Sequence, residues 1–196
     1  QVDVLATDNT TVERLRSLRG VRTIEGVVIP REIDPLKDAA ALRRLYKLIR
    51  AERYDVVHTY TATPGILGRI AGRIAGVPVI VHHQAAWSAT EASSAIVRFF
   101  YGLIEGVALA ASTKTICVGR AVEEEGRRAW FVLKSRLATI VNGINPSPFL
   151  GERSCSDRTL TRRALGLTEH HAVVGNTGRL SPMKDNLTLI RALPMI

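Results

Sequence analysis

An arginine and a lysine, Arg179 and Lys184, flank a turn that follows an apolar run: Val173-Val174-Gly175-Asn176-Thr177-Gly178-Arg179-Leu180-Ser181-Pro182-Met183-Lys184. Ser181 ahead of Pro182 suits a helix N-cap with proline at the first helical position, so a helix is expected from about Met183 to Leu193. Its unpaired N–H groups and positive dipole end would point back at the two cations. Gly178, Arg179 and Lys184 together then describe a receptacle for an anion, phosphate foremost. An ordinary strand–helix unit with two solvated charges has the same pattern, and the residues alone leave both readings open.

Histidines are the next groups able to do chemistry. His82 and His83 close the apolar run Val77-Pro78-Val79-Ile80-Val81, and the two-residue period of a strand turns them to opposite faces. An open α/β sheet takes its ligands just outside the carboxyl ends of its strands, where this pair would lie. The alternative is a strand-end histidine satisfied by backbone groups. His58 follows Val56-Val57 and suits a satisfied core position at least as well. His170 and His171 sit in a loop and are expected to be solvated. Cys117, in an apolar strand, and Cys155, in a polar loop, lack metal-ligand spacing, so free thiols in a reducing compartment are expected. No carboxylate-rich metal motif such as Asp-x-Asp occurs, and no metal is expected.

These groups must be positioned by an alternation of strands and helices. Val2 to Ala6 opens as a strand, and a short helix runs from Thr10 or Thr11 to Leu18, stopped by Gly20. Val21–Ile24 and Val27–Ile29 read as short strands. Asp34-Pro35 caps a long helix reaching about Glu52, with Leu42, Leu45, Tyr46 and Ile49 on its core-facing stripe. Further strands are expected at Val56–His58, Val77–Val81, Thr115–Val118 and Ala138–Val141. The helices between them start at Thr63-Pro64, near Ser93 and near Ala121, and Gly76 ends the first of these three. Strands separated by helices in this way predict a doubly wound, Rossmann-like parallel sheet of the α/β class. Turn chemistry at Asn142-Gly143-Ile144-Asn145-Pro146 and an irregular stretch from Gly151 mark a boundary. Residues 1–150 are expected to form one domain and 151–196 the beginning of a second, with a short helix at Thr161 to Leu165 ended by Gly166.

The chain has 196 residues, 46% of them hydrophobic and only 5% aromatic, as buried strands between helices require. Its net charge of +9 favours anionic partners without choosing among them. Nucleic acid is not expected as a partner, since no basic face is interleaved with aromatics and no helix-turn-helix or zinc module is present. No Gly-x-Gly-x-x-Gly follows a strand, which disfavours a dinucleotide oxidoreductase. No apolar run approaches the roughly 18 residues of a membrane span, and the first residues do not read as a signal peptide. On the long helix, Arg43, Lys47 and Arg50 share one stripe. A solvated face accounts for it, as would electrostatic attachment to anionic lipid.

Read in order, five segments resemble the GT-B-fold retaining glycosyltransferases of group 1, or family 4. They are Tyr54-Asp55-Val56-Val57-His58-Thr59; Gly76-Val77-Pro78-Val79-Ile80-Val81-His82-His83; Thr115-Ile116-Cys117-Val118-Gly119; Val141-Asn142-Gly143-Ile144-Asn145 with Pro148-Phe149; and Gly178-Arg179-Leu180 with Lys184. Gly119 departs from the family's valine-serine, and Gln84-Ala85-Ala86-Trp87-Ser88 is unlike its common histidine-glycine pair.

The resemblance implies a hexosyltransferase that moves a sugar from a UDP- or GDP-sugar to a glycan or lipid-linked acceptor. It implies retention of configuration and chemistry without a metal or other cofactor. It places a catalytic histidine at His83, an acceptor-side histidine at His58, and donor-diphosphate contacts at Gly178, Arg179 and Lys184. Asn142 and Gly143 fall at the interdomain crossover, with Gly143 expected to take a positive φ. The ends of the strands at Val81, Val141 and Thr177 are expected to converge on one groove. The resemblance also places the family's first strand before Gln1 and its paired glutamates beyond Ile196, so these residues alone are expected to be inactive. Cell-envelope polysaccharide synthesis in the cytoplasm, at the inner membrane face if peripheral, is the implied setting. A non-catalytic nucleotide- or sugar-binding α/β domain is the competing reading.

Overall fold

The computed structural model describes residues 2–6, 9–29, 34–87, 94–150, 155–178, 180 and 184–195. The chain divides into two compact units, Gln1–Gly143 and Ile144–Ile196.

In the first unit, β1 (Val2–Val4) and β2 (Val21–Thr23), joined through α1 (Asn9–Arg16), form a parallel two-stranded sheet. Then come α2 (Pro35–Glu52), β3 (Val56–Tyr60), α3 (Ala62–Ala75), β4 (Val79–Gln84), α4 (Ala95–Ala111), β5 (Lys114–Cys117), α5 (Arg120–Arg128) and β6 (Leu137–Thr139). The four later strands are all parallel, in the order β3-β4-β5-β6. Each strand steps to the next in the same direction, so right-handed crossovers carry α3, α4 and α5 to one face of the sheet. Burial follows that rule: Thr59, Ile80, His82, Gln84, Thr115, Cys117 and Leu137 are buried, whereas Val56, Tyr60 and Val79 on the other face are exposed.

Local signals set the helix ends. The Asp34 carboxylate accepts from the amides of Leu36 and Lys37 at 3.2 and 3.1 Å, with Pro35 at the first position of α2. Gly76 closes α3 at φ +83°. The inner stripe of α2 (Ala41, Leu45, Ile49) packs with Leu67, Ala71 and Ala75 of α3 and with Ile80 of β4. Burying each large aliphatic side chain there contributes about 1.5–3 kcal/mol. A second cluster gathers Trp87, Leu109, Cys117, Val132 and Leu137. The Trp87 indole donates to the Val122 carbonyl at 2.8 Å, and its ring lies against Gly126 of α5.

The second unit contains α6 (Ser147–Leu150), α7 (Cys155–Ala164) and α8 (Asn186–Ala192). Several expectations are corrected here. Val173 and Val174 form no strand and are exposed; a strand needs a neighbour's ladder, and no strand is described in this unit. Cys155 lies at the start of α7, not in a loop, and that helix begins before the expected Thr161. In the first unit, Val27–Ile29 is not a strand, although Ile29 is buried in the core. β6 ends at Thr139, short of Val141. Gly143 is not among the positive-φ residues, so a side chain there meets no left-handed backbone, and nothing lies within 4 Å of a Cβ built on it.

The contact between Trp87 and Gly126 yields a paired test. A Cβ on Gly126 would sit 2.5 Å from Cζ2 of the fully buried Trp87, whereas one on Gly119 meets nothing within 4 Å. Gly126→Ala should cost about 1–3 kcal/mol in urea denaturation, and Gly119→Ala should stay within about 0.5 kcal/mol of wild type.

Candidate functional site

Strands β3 and β4 pair with His58 opposite Val81, Thr59 opposite His82 and Tyr60 opposite His83. Alternation sends His58, Tyr60 and His83 to the face away from the helices. Their rings gather there: His58 to Tyr60 at 4.5 Å between centroids, Tyr60 to His83 at 5.0 Å, and His58 to His83 at 6.4 Å. The three rings make a shelf at the carboxyl ends of two parallel strands, the position where such sheets receive ligands. Tyr60 and His58 are exposed and His83 is half-buried. Partial burial, and then the charge of His83, hold His58 below the ordinary imidazole range. His58 is therefore not the satisfied core histidine that its apolar neighbours suggest.

His82 has the opposite environment. It is 3% exposed, and its Nδ1 shares a hydrogen bond with the Thr59 hydroxyl at 2.9 Å. Burial first, and then the Arg69 guanidinium, push its pKa down to about 3. Arg69 is itself buried on α3, donates to the Gly65 carbonyl at 2.9 Å and feels the carboxylate of Glu105 on α4. Desolvation lowers that guanidinium to about 10, so it keeps its charge at neutral pH. Three glycines let α3 come this close. A Cβ on Gly65 would lie 2.5 Å from the His82 ring, one on Gly68 2.7 Å from Thr59, and one on Gly72 3.3 Å from Ile80.

Tyr60 and this supporting layer were missed by reading the sequence. Tyr60 stands two residues after His58, so alternation alone would have put both on one face. The glycine stripe at 65, 68 and 72 has helical spacing, and that was its signal.

The anion receptacle fits its sequence reading less well. Arg179, Ser181 and Pro182 lie outside the described residues. Gly178 and Lys184 approach each other, a Cβ on Gly178 standing 3.9 Å from Lys184 Cγ, and Lys184 is exposed. Asn176 donates to the Asn186 side chain at 2.7 Å, tying the loop to α8. The described helix, however, starts at Asn186 and is capped by Asp185, whose carboxylate accepts from Thr188 at 3.4 Å. A carboxylate therefore occupies the N-terminal end of the described helix. Asn142 is exposed coil at the end of the first unit, as is Gly143. His171 is not simply solvated, since its Nδ1 accepts from the Thr168 amide at 2.8 Å. On α2, Arg43 and Lys47 are exposed, while Arg50 reaches the Ala75 carbonyl at 3.4 Å. Arg50 borders a crevice with Arg53, Tyr54 and Pro78 at the amino ends of β3 and β4, away from the ring shelf.

Buried neutral His82 sets a pH dependence. Its folded pKa lies below the unfolded value, so the unfolded chain binds the extra proton. Stability is then complete above about pH 6.5 and falls as pH drops from 6.5 toward about 3. His82→Gln should flatten the fall in unfolding free energy, measured with urea at stepped pH, by up to about 1.4 kcal/mol per pH unit. An unchanged slope would mean that the ring is not held neutral.

Comparison with known proteins places the fold in a family. The glycosyl transferase 4-like domain matches residues 1–143. The chain is 36% identical over 168 residues to the UDP-Gal:alpha-D-GlcNAc-diphosphoundecaprenol alpha-1,3-galactosyltransferase of Escherichia coli, covering 85% of this chain and 42% of that protein. It is 23% identical over 160 residues to an uncharacterized glycosyltransferase of Methanocaldococcus jannaschii, covering 81% and 41%. A crystal structure of a glycosyltransferase from Rickettsia africae superposes with a TM-score of 0.66 at 14% identity, covering 97% of this chain and 48% of that one, and shares its fold. The chain spans less than half the length of each of these proteins. Its first unit, with parallel strands and the ring shelf at their carboxyl ends, is the matched domain, and the chain belongs to the glycosyl transferase 4-like family.

Proposed function

We propose that the protein transfers a hexosyl group from a nucleotide-sugar donor to a lipid-linked glycan at the inner face of the membrane, with retention of configuration and without a metal. The observation that carries this reading is the His58–Tyr60–His83 shelf at the strand ends of a domain of this family. The Escherichia coli relative supports the substrate classes, since its name gives a UDP-sugar donor and a diphosphoundecaprenol-linked acceptor.

The chemistry follows from where charge develops. As the bond from the anomeric carbon to the donor phosphate breaks, the sugar becomes oxocarbenium-like and negative charge grows on the leaving diphosphate. Cations aimed at that phosphate act on charge that increases in the transition state, which is where binding contributes to rate. Arg179 and Lys184 have this role, with Gly178 leaving room for the phosphate beside Lys184. Residues 1–150 bind the acceptor side and 151–196 begin the donor side, with Asn142 and Gly143 at the crossover. On the acceptor side, the ring faces of Tyr60 and His58 suit the apolar face of a sugar. His83 stands where an imidazole can hold a sugar hydroxyl.

In the full-length protein, Arg179→Ala or Lys184→Ala should lower kcat/KM by about 10²-fold or more, the usual scale for one lost transition-state charge contact. His83→Ala should lower kcat, and chelating agents should leave the rate within about twofold. Assay against a panel of UDP- and GDP-sugars with a lipid-linked acceptor checks all three. Nucleotide-sugar binding with no transfer to any acceptor would replace the reading with a binding module.

A further inference from the structure

Helix α4 has the wrong outer surface for a helix facing water. Its inward side is conventional, with Gly102, Glu105, Ala108 and Leu109 buried. Its outward side carries Ile96, Phe99, Phe100, Leu103, Ile104 and Val107, at 70, 52, 59, 42, 41 and 60% exposure. A solvent-facing helix keeps its apolar residues to one stripe, and this one is apolar on both sides.

The patch extends beyond the helix and is rigidly backed. Trp130, 63% exposed, stacks on Phe99 at 5.5 Å and 20° between planes. Phe131 sits edge-on to Trp130 at 5.6 Å and to buried Trp87 at 6.0 Å, while Phe100 sits edge-on to Phe99 at 5.9 Å. A rank of rings thus runs from the core to the surface. Gly102 makes it possible, since a Cβ there would lie 2.9 Å from both Trp130 and Phe131. Cations stand close to the patch along the chain. Arg98 on α4 is exposed, exposed Arg128 stands two residues before Trp130, and exposed Lys134 follows exposed Leu133. The single acid of α4, Glu105, is turned into the protein.

Exposed aromatics and aliphatics edged by cations are what the headgroup region of an anionic bilayer accepts: rings at the interface, arginine and lysine at the phosphates. Among the described residues no helix is long and apolar enough to cross a membrane. We propose that the outer face of α4, with Trp130 and Leu133, is the protein's docking surface for an anionic lipid bilayer. This rests on the reading of the acceptor as lipid-linked, which must be met at a membrane. It places attachment on α4 and not on the basic stripe of α2.

The test is co-sedimentation of the full-length protein, without any sugar substrate, with vesicles of phosphatidylcholine alone or with added phosphatidylglycerol. Binding is expected only with phosphatidylglycerol, weakening as salt rises. Phe100→Ser with Trp130→Ser should weaken it by about tenfold or more, with melting temperature and transfer to a water-soluble acceptor unchanged. Lys134→Glu should weaken it by roughly fivefold or more. Should the aromatic pair fail to fold, Ile96→Ser with Val107→Ser repeats the measurement at other points of the stripe. Absence of vesicle binding by wild type, equal binding by the patch variants, or loss caused only by Arg43→Glu with Lys47→Glu would overturn the proposal. So would a dimer that the patch variants split into monomers, which would make the surface a contact between copies. Because no transfer is measured in the binding step, a failed enzymatic reading leaves the binding result standing.

Discussion

Helix α3 can lie this close to β3 and β4 because glycine stands at 65 and 68, where a methyl group would strike a strand side chain, and at 72, where it would crowd Ile80. That close approach buries the inner face of the two strands, and strand geometry dictates the rest. Once Thr59 and His82 are clamped under α3, their neighbours Tyr60 and His83 have only the opposite face available. The ring shelf is therefore a consequence of how tightly the other side is packed.

The clamp is polar in a way that a purely apolar core would not be. A neutral imidazole, a hydroxyl and a charged guanidinium are buried together. They are tolerable there because the ring bonds Thr59, the guanidinium bonds the Gly65 carbonyl, and Glu105 supplies opposite charge from α4. Arg69 thereby links two of the helices that back the sheet. The same helix α4 that carries Glu105 inward carries its aromatic surface outward, so one element joins the support of the shelf to the surface proposed to meet the membrane.

The two units differ in how much structure their own contacts can specify. In the first, strands find neighbours and helices find a sheet to cover. In the second, the apolar run at Val173-Val174 has no neighbouring strand among the described residues and is exposed. Gly178 and Lys184 lie near each other, and Asn176 is anchored to Asn186. The cationic pair is thus described in part, and its role in the proposed reaction rests on charge and on family membership.

Much of this architecture was legible in the chain because its determinants are local. The Asp34-Pro35 cap, Gly76 at the end of α3, the stripe of α2 and the alternation of strands with helices each act within a few residues. The order of segments from Tyr54 to Lys184 was enough for the resemblance that the family match then established. Alternation even separated His82 from His83 correctly. What only tertiary structure decided was where faces met. His58 reads as a core residue among valines, yet it is exposed, because right-handed crossovers place the covering helices on the other side of the sheet. Tyr60 joins the site through pairing opposite His83, a contact between strands 23 positions apart in register. Ile29 is buried without a strand, and Gly143 avoids the left-handed backbone that its turn sequence suggested. Asp185 caps the described helix after Lys184. Short-range chemistry fixes caps and periods, whereas partners, faces and exposure depend on residues that meet only after the chain has folded.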